Sequence, residues 1–308
     1  MLAVVNTPHG DRPVELREVS EPALAAGEAL VAVHAFSLNR GELRSFRNNE
    51  EGWRPGQDIA GEVLRAAADG SGPPAGTRVV ALMDEAGWAE RAAVPAQRIA
   101  VLPAAVSFEQ AATLPVAGLT ALRTLRFGGP LLGRRVLVTG AAGGVGHLAV
   151  QLAARSGARV TAVVGSTERG VELCELGAAD LVQGIESANG RFALILESVG
   201  GASLAAAIRL VAPKGTIVVF GNSSGEPTTL GFTDFRSAPN ARVQSFSYFT
   251  SEPEGRFADD LALLVALVAE GSLHPQIGAE RSWREIASVA EDLRERRVRG
   301  KAVLLVEP

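Results

Sequence analysis

The segment that most constrains the fold of this chain is the glycine-rich stretch at residues 140–146, Gly-Ala-Ala-Gly-Gly-Val-Gly. It follows an apolar, β-branched run at residues 135–139, which is typical of a buried parallel strand. Apolar residues at helical spacing fill 147–156, and a second apolar run covers 159–164. This order predicts the opening of a dinucleotide-binding fold, in which N–H groups at the helix start meet a pyrophosphate. Ala141 replaces the first glycine of the common fingerprint, and a merely structural glycine turn is the alternative.

The end of the second strand indicates which nucleotide binds. NAD sites usually carry Asp or Glu about 20 residues beyond the glycines. Here Gly165 stands in that place, and Ser166 and Arg169 follow it. A hydroxyl and a guanidinium suit the 2′-phosphate of NADPH, and no carboxylate at the strand tip repels it. The three residues are therefore predicted to bind NADPH, and the nearby acidic residue Glu168 is the one feature against this prediction. The alternative is that Ser166 caps a helix and Arg169 is a solvated charge in its first turn.

Composition excludes several classes of protein. The chain has 308 residues, enough for two domains, and its formal net charge of −4 argues against nucleic acid as a partner. Although 47% of the residues are hydrophobic, no uninterrupted apolar segment is long enough to predict a membrane span. Residues 1–6 lack a basic leader, so we expect a cytoplasmic location. Cys174 is the only cysteine, which excludes an intrachain disulfide, and its helical spacing predicts a packed thiol.

The pattern along the chain predicts two domains. Residues 1–107 contain short strand-like runs separated by Pro and Gly turns, as in a small β-rich domain. From residue 108 onwards helical and strand patterns alternate, as a doubly wound sheet requires. Residues 272–308 have no place left in that sheet and are predicted to return to the first domain. The predicted domains are therefore 1–107 with 272–308, and 108–271.

Several motifs in the right order resemble one known family. They lie at residues 16–22, 27–31, 37–42, 55–63, 87–90, 111–121, 140–146, 197–201, 220–225 and 300–304. Together they resemble the medium-chain dehydrogenase/reductase superfamily, in its zinc-free quinone oxidoreductase and enoyl reductase branch. The resemblance implies an α/β fold with a GroES-like β-rich catalytic domain plus a Rossmann domain of doubly wound parallel sheet, and a nicotinamide in the cleft between them. It also implies a homodimer, with residues 243–249 as the candidate edge strand.

The resemblance also implies cofactor contacts at residues that match the family's motifs. These are Thr120 near the nicotinamide, Ala142, Gly143, Gly144 and Val145 in the pyrophosphate turn, and Phe220, Gly221 and Asn222 beside the nicotinamide. Asn39 matches an asparagine that faces the nicotinamide ribose and the substrate, while Glu42 replaces the family's usual Asp. Each of these residues also has a structural alternative. Thr120 could be a helix residue bonded to its own backbone, and Asn222 could be a turn residue. Asn39 and Glu42 could both shape a loop.

The chemistry that follows from the resemblance does not use a metal. The Cys and His ligands of the zinc-dependent branch are missing at residues 37–42 and 57–58, so no metal site is predicted. The predicted reaction is hydride transfer from NADPH to a quinone or an α,β-unsaturated carbonyl compound, with Asn39 and Asn222 holding the acceptor oxygen.

Two features of the sequence keep a second function open. Residues 43–54 contain no tyrosine to donate a proton, and packing is the predicted role of the only tyrosine, Tyr248. Residues 44–52 are predicted to form a short substrate loop. An NADPH-binding scaffold that acts as a redox sensor or as a non-redox, cyclase-like biosynthetic enzyme is therefore the alternative. The physiological substrate is not predicted, because Phe36, Trp53, Trp88 and Phe249 are as suited to a core as to a hydrophobic pocket.

Overall fold

The computed structural model describes residues 1–9, 12–248 and 257–307, and the elements below lie within them. The strands are β1 Leu2–Asn6, β2 Val14–Glu18, β3 Glu28–Leu38, β4 Asp58–Arg65, β5 Arg78–Leu82, β6 Arg91–Pro95, β7 Ile99–Val101, β8 Arg135–Val138, β9 Arg159–Val164, β10 Ala178–Gln183, β11 Phe192–Glu197, β12 Val211–Val219, β13 Arg242–Ser245, β14 Ile277–Ser282 and β15 Lys301–Leu305. The helices are α1 Arg40–Asn48, α2 Phe108–Ala112, α3 Pro115–Arg126, α4 Gly146–Arg155, α5 Gly201–Leu210, α6 Phe257–Ala269 and α7 Ile286–Arg294.

The chain divides by its contacts into two compact units. Unit 1 contains Met1–Leu119 and Glu252–Pro308, and unit 2 contains Thr120–Ser251. The predicted domain boundaries, at residues 107/108 and 271/272, differ from the boundaries of these units. Helix α2 packs on β3 and β4, and helix α6 packs on β5 and β7, so both helices group with unit 1. The domain assignment itself stays a prediction. None of the helices in the described ranges is both long enough and apolar enough to cross a membrane.

Unit 1 is built around the long strand β3. In the described part of the chain the sheet order is β14-β15-β3-β4-β5-β7, with β6 also paired to β3. Residues 28–32 of β3 pair with β6, and residues 35–38 pair with β15, so successive halves of one strand edge have different partners. The last four residues of β3 are buried because they have a neighbour on both edges and α2 against the strand. This is the β-rich, GroES-like part of the fold.

The aromatic residues of unit 1 form core rather than a pocket wall. The rings of Phe36 and Trp88 stack with centroids 5.3 Å apart, and both side chains are at most 1% exposed. Trp283 meets Phe36 edge-on at 6.4 Å. Trp53 is partly buried and donates from Nε1 to Glu85 Oε2 at 2.8 Å. Phe249 lies outside the described residues, so its predicted role stays a prediction.

Unit 2 is a parallel six-stranded sheet in the residues described, with the order β10-β9-β8-β11-β12-β13. Each neighbouring pair of strands is parallel. Numbered within the unit, the order is 3-2-1-4-5-6, which is that of a Rossmann fold. The direction of winding reverses between β8 and β11, and ligands of such sheets bind beyond the carboxyl ends of the strands at that point. The predicted fold class is confirmed.

Three local predictions differ from the structure. Helix α1, residues 40–48, includes residues 44–48 of the loop predicted at 44–52. The helix predicted at 168–176 is replaced by two 3-10 turns, Thr167–Arg169 and Val171–Leu173, separated by Gly170. A Cβ on Gly170 would lie 2.7 Å from Leu181 Cδ1, so the chain passes close to β10 there. Cys174 is exposed rather than packed, because the helix that would have buried it does not form.

Candidate functional site

The glycine turn lies directly beyond β8, at the point where the winding of the sheet reverses. A Cβ on Gly146 would lie 2.4 Å from the carbonyl oxygen of Gly140, so only glycine lets α4 begin this close to the turn. Gly140 itself has φ +60, which favours glycine. The imidazole Nδ1 of His147 lies 3.0 Å from the Gly143 carbonyl and ties the first turn of α4 to the loop. The first N–H groups of α4 have no partner within the helix, so this end of the helix suits an anion.

A buried carboxylate links the ends of β8 and β11, the two strands between which the winding of the sheet reverses. Glu197, at the end of β11, is fully buried, and Thr139 Oγ1 just beyond β8 lies 3.2 Å from its Oε1. The same carboxylate accepts from the Gly200 N–H at 2.9 Å and from Ser203 Oγ at 2.8 Å. These contacts fix the start of α5 against the sheet, so Glu197 stabilises the loop beyond β11 instead of facing a ligand.

The predicted NADPH-discriminating residues follow β9, the strand beside β8. Gly165 is exposed, and no other atom lies within 4 Å of a Cβ built on it. Ser166 is extended and precedes the 3-10 turn that contains Arg169, and both side chains are partly exposed. Because β8 and β9 are parallel, these residues lie at the same edge of the sheet as the glycine turn.

The loop beyond β12 contacts the loop beyond β11. A Cβ on Gly221 would lie 3.1 Å from the Ser198 carbonyl oxygen, and one on Gly200 would lie 2.2 Å from Asn222 Oδ1. Asn222 is exposed, and its Oδ1 accepts from the Gly225 N–H at 3.1 Å. The side chain of Asn222 therefore closes a turn, as the alternative inferred for it from the sequence states. Its role in binding a ligand stays a prediction.

The remaining predicted cofactor residues also lie in unit 2. Phe220 is partly buried directly beyond β12, while Ala142, Gly143, Gly144 and Val145 form the glycine turn. Thr120 is buried in α3, and its carbonyl accepts from Thr124 Oγ1 at 2.6 Å. Thus Thr120 is the one predicted cofactor residue of this unit that lies on a helix and not at the strand ends.

The predicted catalytic residue Asn39 lies in unit 1, where β3 ends and α1 begins. The Glu42 carboxylate accepts from the Asn39 backbone N–H at 2.9 Å and from the Gln57 N–H at 3.0 Å, so it caps the start of α1. The Asn39 side chain points to Asp58 and Lys301: Nδ2 donates to Asp58 Oδ2 at 2.8 Å, and Oδ1 accepts from Lys301 Nζ at 2.5 Å.

This polar cluster is buried and charged. Asp58, Lys301 and Glu42 are 0%, 2% and 3% exposed, whereas Asn39 is partly exposed. Burial, together with the negative charge of nearby Asp58, raises the pKa of Glu42 to about 8. The contacts of the Glu42 oxygens described above are all with N–H donors, so protonation of this carboxyl must give up one of them.

Neither Asp58 nor Lys301 was predicted as a site residue. Lys301 and Asp58 are 243 positions apart, and they meet because β15 and β4 flank β3. One signal was present in the sequence: Lys301 opens the otherwise apolar strand Lys-Ala-Val-Leu-Leu in a chain with only one other lysine, Lys214. A charged residue at the start of a buried strand indicates a buried partner.

The donor set does not fit zinc in the parts of the chain that the structure describes. There, no three His, Cys, Asp or Glu side chains are grouped so that they could hold a metal ion. The Asp58 carboxylate is engaged by Lys301 at 3.0 Å. His34 stacks on Phe108 with ring centroids 4.6 Å apart, and Cys174 is exposed on a different unit.

The strand order and the glycine turn define a two-unit α/β protein with a Rossmann sheet. The sequences of known proteins that resemble this chain belong to the same class. Residues 144–266 match the family described as zinc-binding dehydrogenase. The chain is 30% identical to the chloroplast envelope quinone oxidoreductase homolog of Arabidopsis thaliana, over 89% of this chain and 90% of that protein. It is 33% identical to the spectinabilin polyketide synthase system protein NorB of Streptomyces orinoci, over 92% of this chain but only 13% of that much longer protein.

A solved structure shows the same fold. The yhdH oxidoreductase of Salmonella enterica, crystallised in complex with NADP, superposes with a TM-score of 0.82 at 26% identity, over 100% of both chains. The chain therefore belongs to the medium-chain dehydrogenase/reductase superfamily, in its quinone oxidoreductase branch. The predicted family is confirmed, and with it the class of oxidoreductase.

Proposed function

We propose that this protein is a zinc-independent reductase that uses NADPH to transfer hydride to a quinone or an α,β-unsaturated carbonyl compound. The observation that carries the proposal is the glycine turn at the winding reversal of the sheet, where Gly146 packs against Gly140, together with a strand tip at Gly165 that lacks a carboxylate. The NADP complex of yhdH and the name of the Arabidopsis relative support the cofactor and the acceptor class.

The residues of unit 2 fit a dinucleotide phosphate. The Gly143 N–H donates to the Gly140 carbonyl at 2.9 Å and the His147 N–H to the Gly143 carbonyl at 3.1 Å, so the other N–H groups of the turn at Ala142–Val145 would meet the pyrophosphate. Arg169 would hold the 2′-phosphate through its planar guanidinium, with Ser166 as a second donor. The backbone of the loop at Phe220 and Gly221, held against Ser198, would flank the nicotinamide. Bound NADPH would supply the hydride, and the protein would contribute binding, orientation and exclusion of water.

Zinc independence is proposed from donor chemistry. Asp58, the acidic residue of the 57–58 pair, is neutralised by an ammonium and accepts further hydrogen bonds from Asn39 and from the Val116 N–H. A carboxylate with these partners has no oxygen to spare for a metal. The acceptor oxygen must therefore be stabilised by hydrogen-bond donors, and the proton that follows hydride transfer to an enone would come from solvent.

A titration of NADPH and NADH with the purified protein tests the cofactor assignment. We expect Arg169→Ala to weaken NADPH binding by about ten- to a hundredfold, the worth of one or two charge-assisted hydrogen bonds, and to change NADH binding little. Arg155→Ala, an exposed arginine in the last turn of α4, is the matched control and should change neither. Equal losses for both nucleotides in Arg169→Ala would contradict the assignment.

Turnover is tested with the same protein. NADPH oxidation should be observed with at least one member of a panel of simple quinones and enones. Tight NADPH binding without oxidation by any acceptor would favour the alternative, a binding scaffold that serves as a redox sensor or a cyclase-like biosynthetic enzyme. Binding of neither nucleotide would overturn both.

A second copy of the chain is the proposed protein partner. Strand β13 ends the parallel sheet, and all four of its residues are exposed, including Val243 at 47%. An edge strand presents unpaired N–H and C=O groups, which are a template for pairing with another sheet. The part of the predicted edge beyond residue 248 lies outside the described residues. We expect light scattering to show a dimer that Val243→Lys dissociates, whereas Leu132→Lys, a change at another exposed position, leaves it intact. A dimer that survives Val243→Lys would contradict this interface.

A further inference from the structure

Three successive peptide groups beyond β11 are held by side chains through their N–H groups. The Ser198 N–H donates to Thr139 Oγ1 at 2.9 Å. The Val199 N–H donates to Glu197 Oε1 at 3.1 Å, and the Gly200 N–H donates to Glu197 Oε2 at 2.9 Å. Each oxygen of the fully buried Glu197 carboxylate therefore holds one peptide group.

The carbonyls of the same three peptide groups hold the loop beyond β12, residues 220–224. The carbonyls of residues 197, 198 and 199 accept, in that order, from the N–H groups of Phe220, Ser223 and Ser224 at 2.9, 3.0 and 2.8 Å. In a planar trans peptide the N–H and the C=O point in opposite directions. A side chain that fixes the N–H therefore also fixes the direction of the carbonyl, and Glu197 does so for two peptide groups in succession.

The backbone itself restrains these peptide groups little. Gly200 and Gly201 follow one another with φ +78 and φ +54, and glycine adopts many other conformations without steric cost. A conformation that turned the Gly200 N–H away from Glu197 would also turn the Val199 carbonyl away from Ser224, since both belong to one peptide group. The carboxylate therefore supplies a restraint that the glycine backbone lacks.

The chemistry of the carboxylate matters because its partners in these contacts are all donors. Besides the two backbone N–H groups, the hydroxyls of Thr139 and Ser203 lie 3.2 and 2.8 Å from Glu197 Oε1. Glutamine has nearly the same shape but one oxygen and one NH₂, so its amide would set protons against a backbone N–H or against these hydroxyls. Aspartate keeps both oxygens and has a shorter reach.

We propose that Glu197 is a positioning residue which, through two peptide groups beyond β11, holds the loop at residues 220–224 in the conformation that binds the nicotinamide end of NADPH. The inference rests on the proposed function, in which the backbone at Phe220 and Gly221 flanks the nicotinamide. Glu197 acts through the loop and not by touching the ligand. All of these residues belong to unit 2.

The first experiment measures the loop in the protein without ligand. Amide exchange is followed residue by residue by NMR in ¹⁵N-labelled full-length protein. Glu197→Gln should speed exchange of the Ser223 and Ser224 N–H groups by about ten- to a hundredfold, the equivalent of one hydrogen bond to a charged group. Thr161→Val is the matched control, because it removes a buried hydroxyl of β9 that lies 3.4 Å from Asp180 Oδ2, and it should leave both rates unchanged.

Two further variants keep this test decisive if Glu197→Gln does not fold. Thr139→Val removes the acceptor of the Ser198 N–H and leaves the carboxylate in place. It should speed exchange of the Phe220 N–H by about three- to tenfold, because the carbonyl that holds this N–H belongs to the same peptide group. Glu197→Asp should speed exchange in the loop less than Glu197→Gln, since it keeps two acceptor oxygens.

The second experiment measures binding of the nicotinamide end separately. Dissociation constants are compared for NADPH and for 2′-phospho-ADP-ribose, the fragment of NADPH without nicotinamide. Wild type should prefer NADPH, and Glu197→Gln should reduce that preference by about five- to tenfold, the equivalent of one hydrogen bond. Glu197→Asp should restore part of the preference, and Thr161→Val should preserve it. A merely structural role of Glu197 would weaken both ligands equally.

The outcomes separate the inference from the proposed function. Unchanged exchange of the loop amides in Glu197→Gln and in Thr139→Val would overturn the inference. An NADPH preference that is absent in wild type, or that persists in Glu197→Gln, would also overturn it while NADPH binding upheld the proposed function. Faster exchange in the variants of a protein that does not bind NADPH would refute the proposed function and uphold only the control of the loop by Glu197.

Discussion

The stability of unit 1 is expected to depend on pH through Glu42, and the magnitude follows from its pKa. The folded protein holds this proton up to a pKa of about 8, whereas the unfolded chain releases it near 4.5. The stability that the protonated group contributes is therefore fully present below pH 4.5 and is lost as the pH rises towards 8. At about 1.4 kcal/mol per pH unit, the stability lost between pH 4.5 and pH 8 is about 5 kcal/mol. About 3 kcal/mol of this loss falls between pH 5.5 and pH 7.5.

The variant Glu42→Gln isolates this contribution, because glutamine has nearly the shape of the protonated side chain and does not titrate. The free energy of unfolding is measured by urea titration at pH 5.5, 6.5 and 7.5. Tryptophan fluorescence reports on unit 1, since Trp53, Trp88 and Trp283 all belong to it. The free energy of unfolding of Glu42→Gln, minus that of wild type, should increase by about 3 kcal/mol from pH 5.5 to pH 7.5.

A control and a refuting result complete this test. Glu18→Gln, at an exposed position of β2, should follow the wild-type pH dependence. If Glu42→Gln and wild type differed by a constant amount across the three pH values, the carboxyl would not titrate in this range. The argument from burial and the charge of Asp58 would then be refuted.

Three further predictions concern the turn, helix α1 and the metal. Gly146→Ala should weaken NADPH binding by at least about tenfold in a titration, because its Cβ would lie 2.4 Å from the Gly140 carbonyl oxygen; unchanged affinity would show that α4 can retreat from the turn. Gly41→Ala, with no atom within 4 Å of the new Cβ, should raise the free energy of unfolding by about 0.5–1 kcal/mol in urea, and a loss would indicate an undetected contact. Dialysis against EDTA should leave NADPH oxidation unchanged, whereas a loss restored by zinc would refute the metal-free proposal.

The sequence predicted features that depend on neighbouring residues. The apolar run before the glycine turn and the periodic run after it became β8 and α4, since strand and helix periodicities and glycine's steric freedom act over a few positions. The same local signals place Gly165, Ser166 and Arg169 beyond β9. Motif order along the chain was enough to identify the family, because many short matches in one order are more specific than any single one.

Other local predictions failed where a long-range contact decided the outcome. The helix predicted at 168–176 gives way to 3-10 turns around Gly170, where the chain passes against Leu181 of β10. Helix α6 groups by its contacts with unit 1, since it packs on β5 and β7, and the domain to which it belongs stays a prediction. Helix α1 was missed although Asn39 and Glu42 have capping-box spacing, because that pair was interpreted through its role in the family.

The cluster around Asn39 shows most clearly what the sequence alone could not determine. The family resemblance singled out Asn39, but Lys301 lies 262 positions from Asn39 and 243 positions from Asp58 in the chain. The three residues meet only because β15, β3 and β4 are neighbours in one sheet. Sequence therefore determined that an amide stands beyond β3. Tertiary structure decided which way that amide points, because hydrogen-bond polarity is set by the charges that the fold brings to it.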